Sequence, residues 1–454
     1  MMNIDRLLKE QYERFDRKIV VLDDDPTGTQ TVHDIYVYTD WTPETLLEAF
    51  SSENKLFYIL TNSRSFTAAQ TEKVHRDIAA AIRGASEQTG KDYIVISRSD
   101  STLRGHYPLE TEVLRDALGK DIDGEVLCPF FPEGGRYTIG DIHYVKQGDD
   151  LVPAAETEFA KDATFGYTKS DLKEYVEEKT CGAYKAADVI SIGLDELRAQ
   201  DVDTVAEKLL SVRDFGKIVV NSENYEDLKF FCYALYLAMG EGRHYMFRSA
   251  AGLVKTLGCI DTKPYLTRGQ LVTDAKDKGG LILIGSHMKK TTAQLEELKK
   301  IPGIDFIGFD SDLVLDPQAF AVEIARVQEK IDADIDAGTT VCVYTKRKVL
   351  LLENDTKEAA LLRSVAISDA VQSFAANLKT KPAFIIAKGG ITSSDVGVKA
   401  LKVKKALVLG QAAAGIPVWQ TGPESRFPGL SYVIFPGNVG TETTLREIVE
   451  QLIV

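Results

Sequence analysis

The sequence predicts an α/β protein of two domains, each a mainly parallel sheet flanked by helices. Three observations predict this. Apolar, β-branched runs alternate with helical periodicities over nearly the whole chain, the signature of βα units. These runs fall into two series separated by a polar, glycine-containing stretch. A length of 454 residues also exceeds what one hydrophobic core usually organises.

The first series comprises Ile19–Leu22, Ile35–Tyr38, Leu56–Leu60, Tyr93–Ser97, Val126–Cys128, Val189–Ile192 and Ile218–Val220. Short, continuous apolar runs of this kind suit strands covered on both faces. A helix is expected over Thr67–Thr89, opened by Thr67-x-x-Gln70 in capping-box form and closed by Gly90. Residues Phe130 to Phe165 are rich in Gly and Pro and weakly periodic, so a lid or binding segment is expected there. The stretch Lys263–Gly279 carries Pro264, Gly269 and mixed charges and reads as an interdomain linker, giving domains 1–270 and 271–454. A long surface loop inside one domain is the alternative. A fresh strand and helix following at once argue against it. The second series is Leu281–Ile284, Phe306–Phe309, Val341–Tyr344, Phe384–Ala387 and Ala406–Leu409.

The formal net charge of −14 argues against sequence-independent binding to nucleic acid or anionic membranes, which needs a cationic face. No window approaches an uninterrupted membrane span, and Met1 to Asp16 lacks a signal-peptide apolar core. The expectation is a soluble, cytoplasmic protein with small-molecule partners, its oligomeric state left open with a homodimer among the options. The five cysteines are scattered, without CxxC spacing, so neither a disulfide framework nor a zinc site is expected. The six histidines show no metal-ligand spacing, and only His106, beside the Arg104-Gly105 turn, is placed to donate to a ligand.

The chemistry of the first half gathers at strand C-terminal ends, where α/β sheets bind ligands. Ile19–Leu22 delivers Asp23, Asp24 and Asp25 into a Pro26-Thr27-Gly28 turn. Three adjacent carboxylates repel unless a cation, a proton or a donor-rich ligand is brought in, which suits a hydroxyl-rich substrate or Mg²⁺. The alternative is that they cap the turn through Asx bonds. Asn62-Ser63-Arg64-Ser65 follows the third run, and Arg98-Ser-Asp100-Ser101-Thr-Leu-Arg104-Gly-His106 follows the fourth. Arginine forks suit a carboxylate or phosphate, and Asp and Ser suit sugar hydroxyls. Together they outline a site for a polyhydroxy acid.

The second half has neither GxxxxGK[ST] nor GxGxxG after a strand. It has instead three small-residue turns: Gly285-Ser286, Gly389-Gly390-Ile391-Thr392-Ser393-Ser394 and Pro436-Gly437-Asn438-Val439-Gly440. Each follows an apolar run and precedes a helix. Backbone amides, hydroxyls and helix N-termini converging on one sheet edge would cradle a polyphosphate, although each turn alone serves equally as a cap.

These motifs, in this order, resemble the four-carbon acid sugar kinase family over nearly the whole chain. The family's Asp-Asp-x-Thr-Gly turn is matched by Asp24 to Gly28, its Asp-Ser-Thr-Leu-Arg-Gly by Asp100 to Gly105, and its proline- and arginine-containing loop by Pro129 to Arg136. The serine turn is similar to Gly285-Ser286, the Gly-Gly-x-Thr-Ser turn to Gly389–Ser393, and the Gly-Asn-x-Gly turn to Gly437–Gly440. The chain departs from many relatives at Ile391 and His106. The resemblance implies ATP-dependent phosphorylation of a hydroxyl, terminal in the expected reaction, on a sugar acid such as threonate, erythronate or an oxo-tetronate, in a cleft between the domains. It implies Asp25 or Asp24 as the catalytic base. Thr27, Gly28, Ser63, Arg64, Asp100, Ser101, Arg104 and Arg136 would hold the substrate. Ser286, Gly389, Gly390, Ile391, Thr392, Ser393, Gly437, Asn438 and Gly440 would hold ATP, with Mg²⁺ on its phosphates and its protein ligands open. Two alternatives stay open: a kinase of another small hydroxy acid, and a nucleotide-gated sugar-acid sensor without turnover.

Overall fold

The structure is a computed structural model that describes residues 3–272, 274–350, 352, 355–437 and 439–453. It is a two-domain α/β protein. The chain divides into two compact units, residues 1–28 with 40–262, and residues 29–39 with 263–454. The linear division at 270 differs from this because strand Ile35–Tyr38 pairs antiparallel with a strand near the C-terminus, Lys405↔Tyr38 through Val408↔Ile35. Sequence neighbours alone cannot reveal such a pairing.

In chain order the first strands are β1 (Arg17–Asp23), β2 (Ile35–Tyr38), β3 (Leu56–Leu60), β4 (Asp92–Arg98), β5 (Gly124–Cys128), β6 (Arg136–Ile139), β7 (Ile142–Gln147), β8 (Asp150–Pro153), β9 (Ile190–Ile192), β10 (Gly216–Val220) and β11 (Tyr245–Ser249). The first unit's main sheet runs β3-β1-β4-β11-β5-β10-β9, all parallel. Its central strands are buried along their length, as strands covered on both faces must be. The register sets Asp23 beside both Leu60 and Arg98, and Arg98 beside Ser249. Strand order reverses at β1 and β4. The loops leaving these two strands therefore open the crevice where ligands bind in such sheets.

The capping box at Thr67 and Gln70 forms as expected, and the Ala68–Thr89 helix ends on Gly90 in the left-handed region, φ 68°. Strand β11 was not expected. Its sequence, Tyr-Met-Phe-Arg-Ser, has no β-branched residue and only three apolar residues before a charge, so the run is short for a strand signal. The Phe130–Phe165 segment, expected as a lid or binding segment, carries regular structure of its own. It contains the antiparallel sheet β6-β7-β8, with Tyr167, Tyr175 and Val145 in the core beneath.

The remaining strands are β12 (Leu281–Ile284), β13 (Ile304–Phe309), β14 (Thr340–Thr345), β15 (Ile385–Lys388), β16 (Lys405–Ala413), β17 (Ile416–Thr421) and β18 (Ser431–Phe435). In the second unit the order is β13-β14-β12-β15-β18-β17-β16-β2, parallel through β18 and antiparallel beyond it. Order reverses at β12 and β15, and the register aligns Ile284 with Lys388 and Lys388 with Phe435. The segment expected as a free linker packs instead: Leu266, Leu271 and Val272 are buried in this unit's core, and the Leu266 N–H donates to the Gln411 carbonyl at 2.9 Å. Among the described residues no helix is long and apolar enough to cross a membrane.

Candidate functional site

Three carboxylates leave β1, and the structure gives each a different setting. Asp23 is buried against Arg98, which donates from Nη1 at 3.2 Å. Burial pushes its carboxyl up to about 7, opposed by Arg98 and reinforced by Asp24 and Asp25. Gly28 lies directly over it: a Cβ there would sit 1.8 Å from Asp23 Oδ2, so only glycine lets the turn fold back. Asp24, also buried, receives Arg64 in a fork, Nη2 to Oδ1 at 2.6 Å and Nε to Oδ2 at 3.1 Å. Its carboxyl is raised, chiefly by burial, with Arg64 acting against the shift and Glu110 adding to it.

Asp25 is the open member of the trio, with 19 % of its side chain exposed against 1 % for Asp24. Oδ1 accepts from the Thr27 N–H at 2.8 Å and its hydroxyl at 2.5 Å, while Oδ2 accepts from Arg64 Nη1 at 3.3 Å. The cap expected as the alternative is present at Asp25. Oδ1 holds the turn and Oδ2 keeps accepting capacity.

Beneath these groups runs a buried network that the sequence did not disclose. Ser63 Oγ donates to Glu110 Oε1 at 2.6 Å, Arg248 Nη1 donates to Glu110 Oε2 and to Ser97 Oγ (3.0 Å), and His75 Nε2 lies 3.8 Å from Glu110. Ser63, expected to touch substrate, turns its hydroxyl inward. Burial would raise the Glu110 carboxyl, but Arg248, His75 and Ser63 hold it below its usual range. The available signal was the lone Arg of β11; Glu110 shares the Leu109–Leu118 helix with Glu112, Arg115 and Asp116 and does not stand out.

At the end of β4, Asp100 accepts from Arg104 Nε at 2.7 Å and from the Thr102 hydroxyl. Burial would raise its carboxyl; Arg64 and Arg104 hold it well below the usual carboxylate range. Ser101 is buried, its carbonyl 2.8 Å from His143 Nε2. Arg104 and Arg136 lie over the same Phe159 ring, 5.1 and 5.6 Å from its centroid. Arg136 Nε is buried without a hydrogen-bond partner. A hollow lined by Ser99, Asp100, Leu127, Tyr175, Arg248 and Ser249 adjoins them, and the Ser249 hydroxyl is likewise buried without a partner. His106 is tied to the Phe66 carbonyl, Nε2 at 3.0 Å, and meets Phe165 edge-on. A buried guanidinium nitrogen and a buried hydroxyl without partners in this region suit an anionic oxygen.

In the second unit the three small-residue turns meet. A Cβ on Gly285 would lie 2.3 Å from Thr392 Oγ1, one on Gly389 3.1 Å from Ser286 Cβ, and one on Gly437 3.2 Å from Ser286 Oγ. Thr291 Oγ1 bridges the Ser286 hydroxyl at 3.2 Å and the Gly437 carbonyl at 3.1 Å. Gly390 opens the Gly390–Asp395 helix, and Ile391 on it is 69 % exposed. Ser393 is committed inward, its Oγ donating to the Ala387 carbonyl at 2.8 Å. Gly440 sits at the start of the Thr444–Ile453 helix, against Thr444. Asn438 lies outside the described residues.

Two basic side chains here escaped sequence reasoning, Lys388 and Arg347. Arg347 donates from Nη2 to the Ser286 carbonyl and from Nε to Thr292 Oγ1 at 3.3 Å, and its Nη1 is buried without a partner. Lys388, the last residue of β15, donates to the Pro436 carbonyl at 2.7 Å. At Gly389 the backbone has φ 120° and ψ 143°, a region that side chains resist. Gly389→Ala is expected to lower the unfolding free energy by about 1–3 kcal/mol, as read by urea unfolding; an unchanged midpoint would show that the turn relaxes freely.

Comparison with known proteins matches residues 19–257 to a sugar-binding N-terminal domain and residues 281–445 to a nucleotide-binding C-terminal domain. A D-erythronate kinase of Heliobacterium modesticaldum is 24 % identical over 334 residues, 72 % of this chain and 70 % of that protein. Among solved structures, a Salmonella typhimurium LT2 protein provisionally described as a tRNA synthase superposes with TM-score 0.69 at 18 % identity, over 94 % of this chain and 98 % of its own. A Haemophilus influenzae protein of the DUF1537 family gives TM-score 0.63 at 17 % identity, over 95 % and 100 %. These likenesses under 25 % identity concern the fold. With its sugar-binding and nucleotide-binding domains matched in that order along the sequence, the chain belongs to the four-carbon acid sugar kinase family.

Proposed function

We propose that this family member is an ATP-dependent kinase that phosphorylates a hydroxyl, in the simplest case a terminal one, of a four-carbon sugar acid such as threonate, erythronate or an oxo-tetronate. The observation that carries the reading is the set of groups about the β1 and β4 ends: an open carboxylate at Asp25, and two arginines that share Phe159, of which Arg136 keeps a buried Nε without a partner. In this reading Arg104 and Arg136 hold the substrate carboxylate, and Asp100 and Ser249 take its hydroxyls. Asp25 Oδ2 orients the acceptor hydroxyl and takes its proton as the hydroxyl oxygen bonds the γ-phosphorus and the bond from that phosphorus to the ADP oxygen breaks, releasing ADP. Asp24, held on both oxygens by Arg64, positions that arginine rather than the substrate.

The second unit supplies the nucleotide site, with the Ser286, Gly389 and Gly437 turns around the phosphates. Among the described residues no group of three or more His, Cys, Asp or Glu is placed to hold a metal ion. Mg²⁺ therefore has no protein ligands assigned to it. A cation that keeps its water and binds through phosphate oxygens needs few of them.

A coupled ADP-release assay over a panel of C4 and C5 sugar acids tests the proposal. Turnover restricted to C4 acids is expected. Turnover only with C5 or other hydroxy acids would reassign the substrate, and ADP binding without any turnover would make the protein a sensor. Arg104→Lys is expected to raise the sugar-acid KM about 10- to 100-fold with the ATP KM little changed, because an ammonium cannot replace a guanidinium fork on a carboxylate. An equal loss for ATP would place Arg104 on the phosphates.

A further inference from the structure

Lys388 is fully buried at the meeting point of the three turns. Its Nζ donates to the carbonyls of Pro436 (2.7 Å) and Gly437 (3.5 Å) and lies 4.0 Å from the centre of the Phe435 ring. Two acceptors match the two N–H groups of a neutral amine, and no carboxylate pairs with it among the described residues. Its neighbours in register, Ile284 and Phe435, carry no charge. The charged group facing it is another cation, Lys290 of the Lys289–Leu298 helix, and Asp395 on the helix that follows is engaged by Ser368 and Lys399. A buried lysine surrounded in this way resists ionisation. Burial, with Lys290 adding, pushes it down to about 7.

The residue immediately after it is Gly389, whose Cα faces Ser286, and Nζ itself bonds the Gly437 turn. Any polyanion held by these turns would bring the negative charge that Lys388 lacks. We propose that Lys388 is the charge-balancing residue of the nucleotide site and takes up a proton when the nucleotide's phosphates dock. The proposal rests on the nucleotide-binding reading of the second unit. The proton comes from solvent and is bound at Nζ, with no bond broken in the chain or the ligand. At about pH 8 the apo protein thus keeps a mostly uncharged amine under the turns, and the ammonium appears together with its counter-charge.

Proton linkage gives a readout that a merely structural lysine would not move. Titration calorimetry of the full chain with ADP, at about pH 8 in buffers of different ionisation enthalpy, reports the number of protons exchanged. At that pH ADP's own phosphates are ionised. Wild type is expected to take up about one proton per ADP bound, since a group titrating near 7 is mostly neutral before binding and charged after it. Lys388→Met should bind ADP about tenfold more weakly with that uptake abolished, and Lys388→Arg, charged throughout, should also show none. Binding of ADP by wild type without proton uptake would overturn the proposal, as would an uptake that persists in either folded variant. A folded wild type with no ADP affinity would instead overturn the nucleotide reading itself.

Discussion

Asp25→Asn is expected to lower kcat about 10²- to 10⁴-fold, the usual contribution of a positioned general base, while the fold and ADP affinity persist. The amide oxygen can still accept from the Thr27 N–H and hydroxyl, so the turn keeps its cap. Only the 3.3 Å contact with Arg64 changes, from donor on carboxylate to donor facing donor. Asp24→Asn is the informative partner. It breaks a buried fork at 2.6 and 3.1 Å and should cost stability as well as rate, because Arg64 loses the charge that holds it. Steady-state kinetics with urea unfolding separates the two. If both variants turned over at the wild-type rate, the acid turn would be structural and the base would have to lie elsewhere.

Arg248→Met should destabilise the first unit by about 3–5 kcal/mol, the usual cost of leaving one member of a buried ion pair alone. Glu110 is 1 % exposed and would keep only Ser63 Oγ and the more distant His75. The loss should depend on pH. In wild type the Glu110 carboxyl is held below its usual range, so its stabilisation is complete above the unfolded-state value and fades as pH falls through the lower folded one. Without Arg248, burial pushes the carboxyl up instead, and the folded state then binds the proton more readily than the unfolded chain. The deficit relative to wild type should therefore be largest near neutrality and shrink on acidification. Unfolding measured at about pH 7.5 and about pH 5 checks this, and Arg248→Met with Glu110→Gln should recover part of the loss at neutral pH. An equal deficit at both values would mean that Arg248 contributes packing rather than charge.

Much of the fold was legible because local rules write it directly. Ile19–Leu22 and Leu281–Ile284 are short apolar runs ended by turn residues, and both are buried parallel strands. Thr67, Gln70 and Gly90 mark a helix at both ends by hydrogen-bonding chemistry that acts within a few residues. Strand β11 stayed hidden because its apolar run is short and its place between β4 and β5 makes it a strand. Ile35–Tyr38 was legible as a strand, but not as part of the second unit.

By itself the sequence determined the two-domain α/β class and, through the order of its turn motifs, the family. Tertiary structure decided what each polar group in those turns does. Asp23, Asp24 and Asp25 are equivalent in a string, yet one is spent on Arg98, one on Arg64 and one remains open. Ser63 and Ser393 turn inward to Glu110 and to the Ala387 carbonyl. Arg248 and Lys388 emerge from apolar strands as buried basic side chains. The physical reason is range. Hydrophobic periodicity and capping act over a few residues, whereas a buried charge is fixed by whatever the strand order sets beside it, from 75 residues away for Asp23 and Arg98 and from 138 for Glu110 and Arg248.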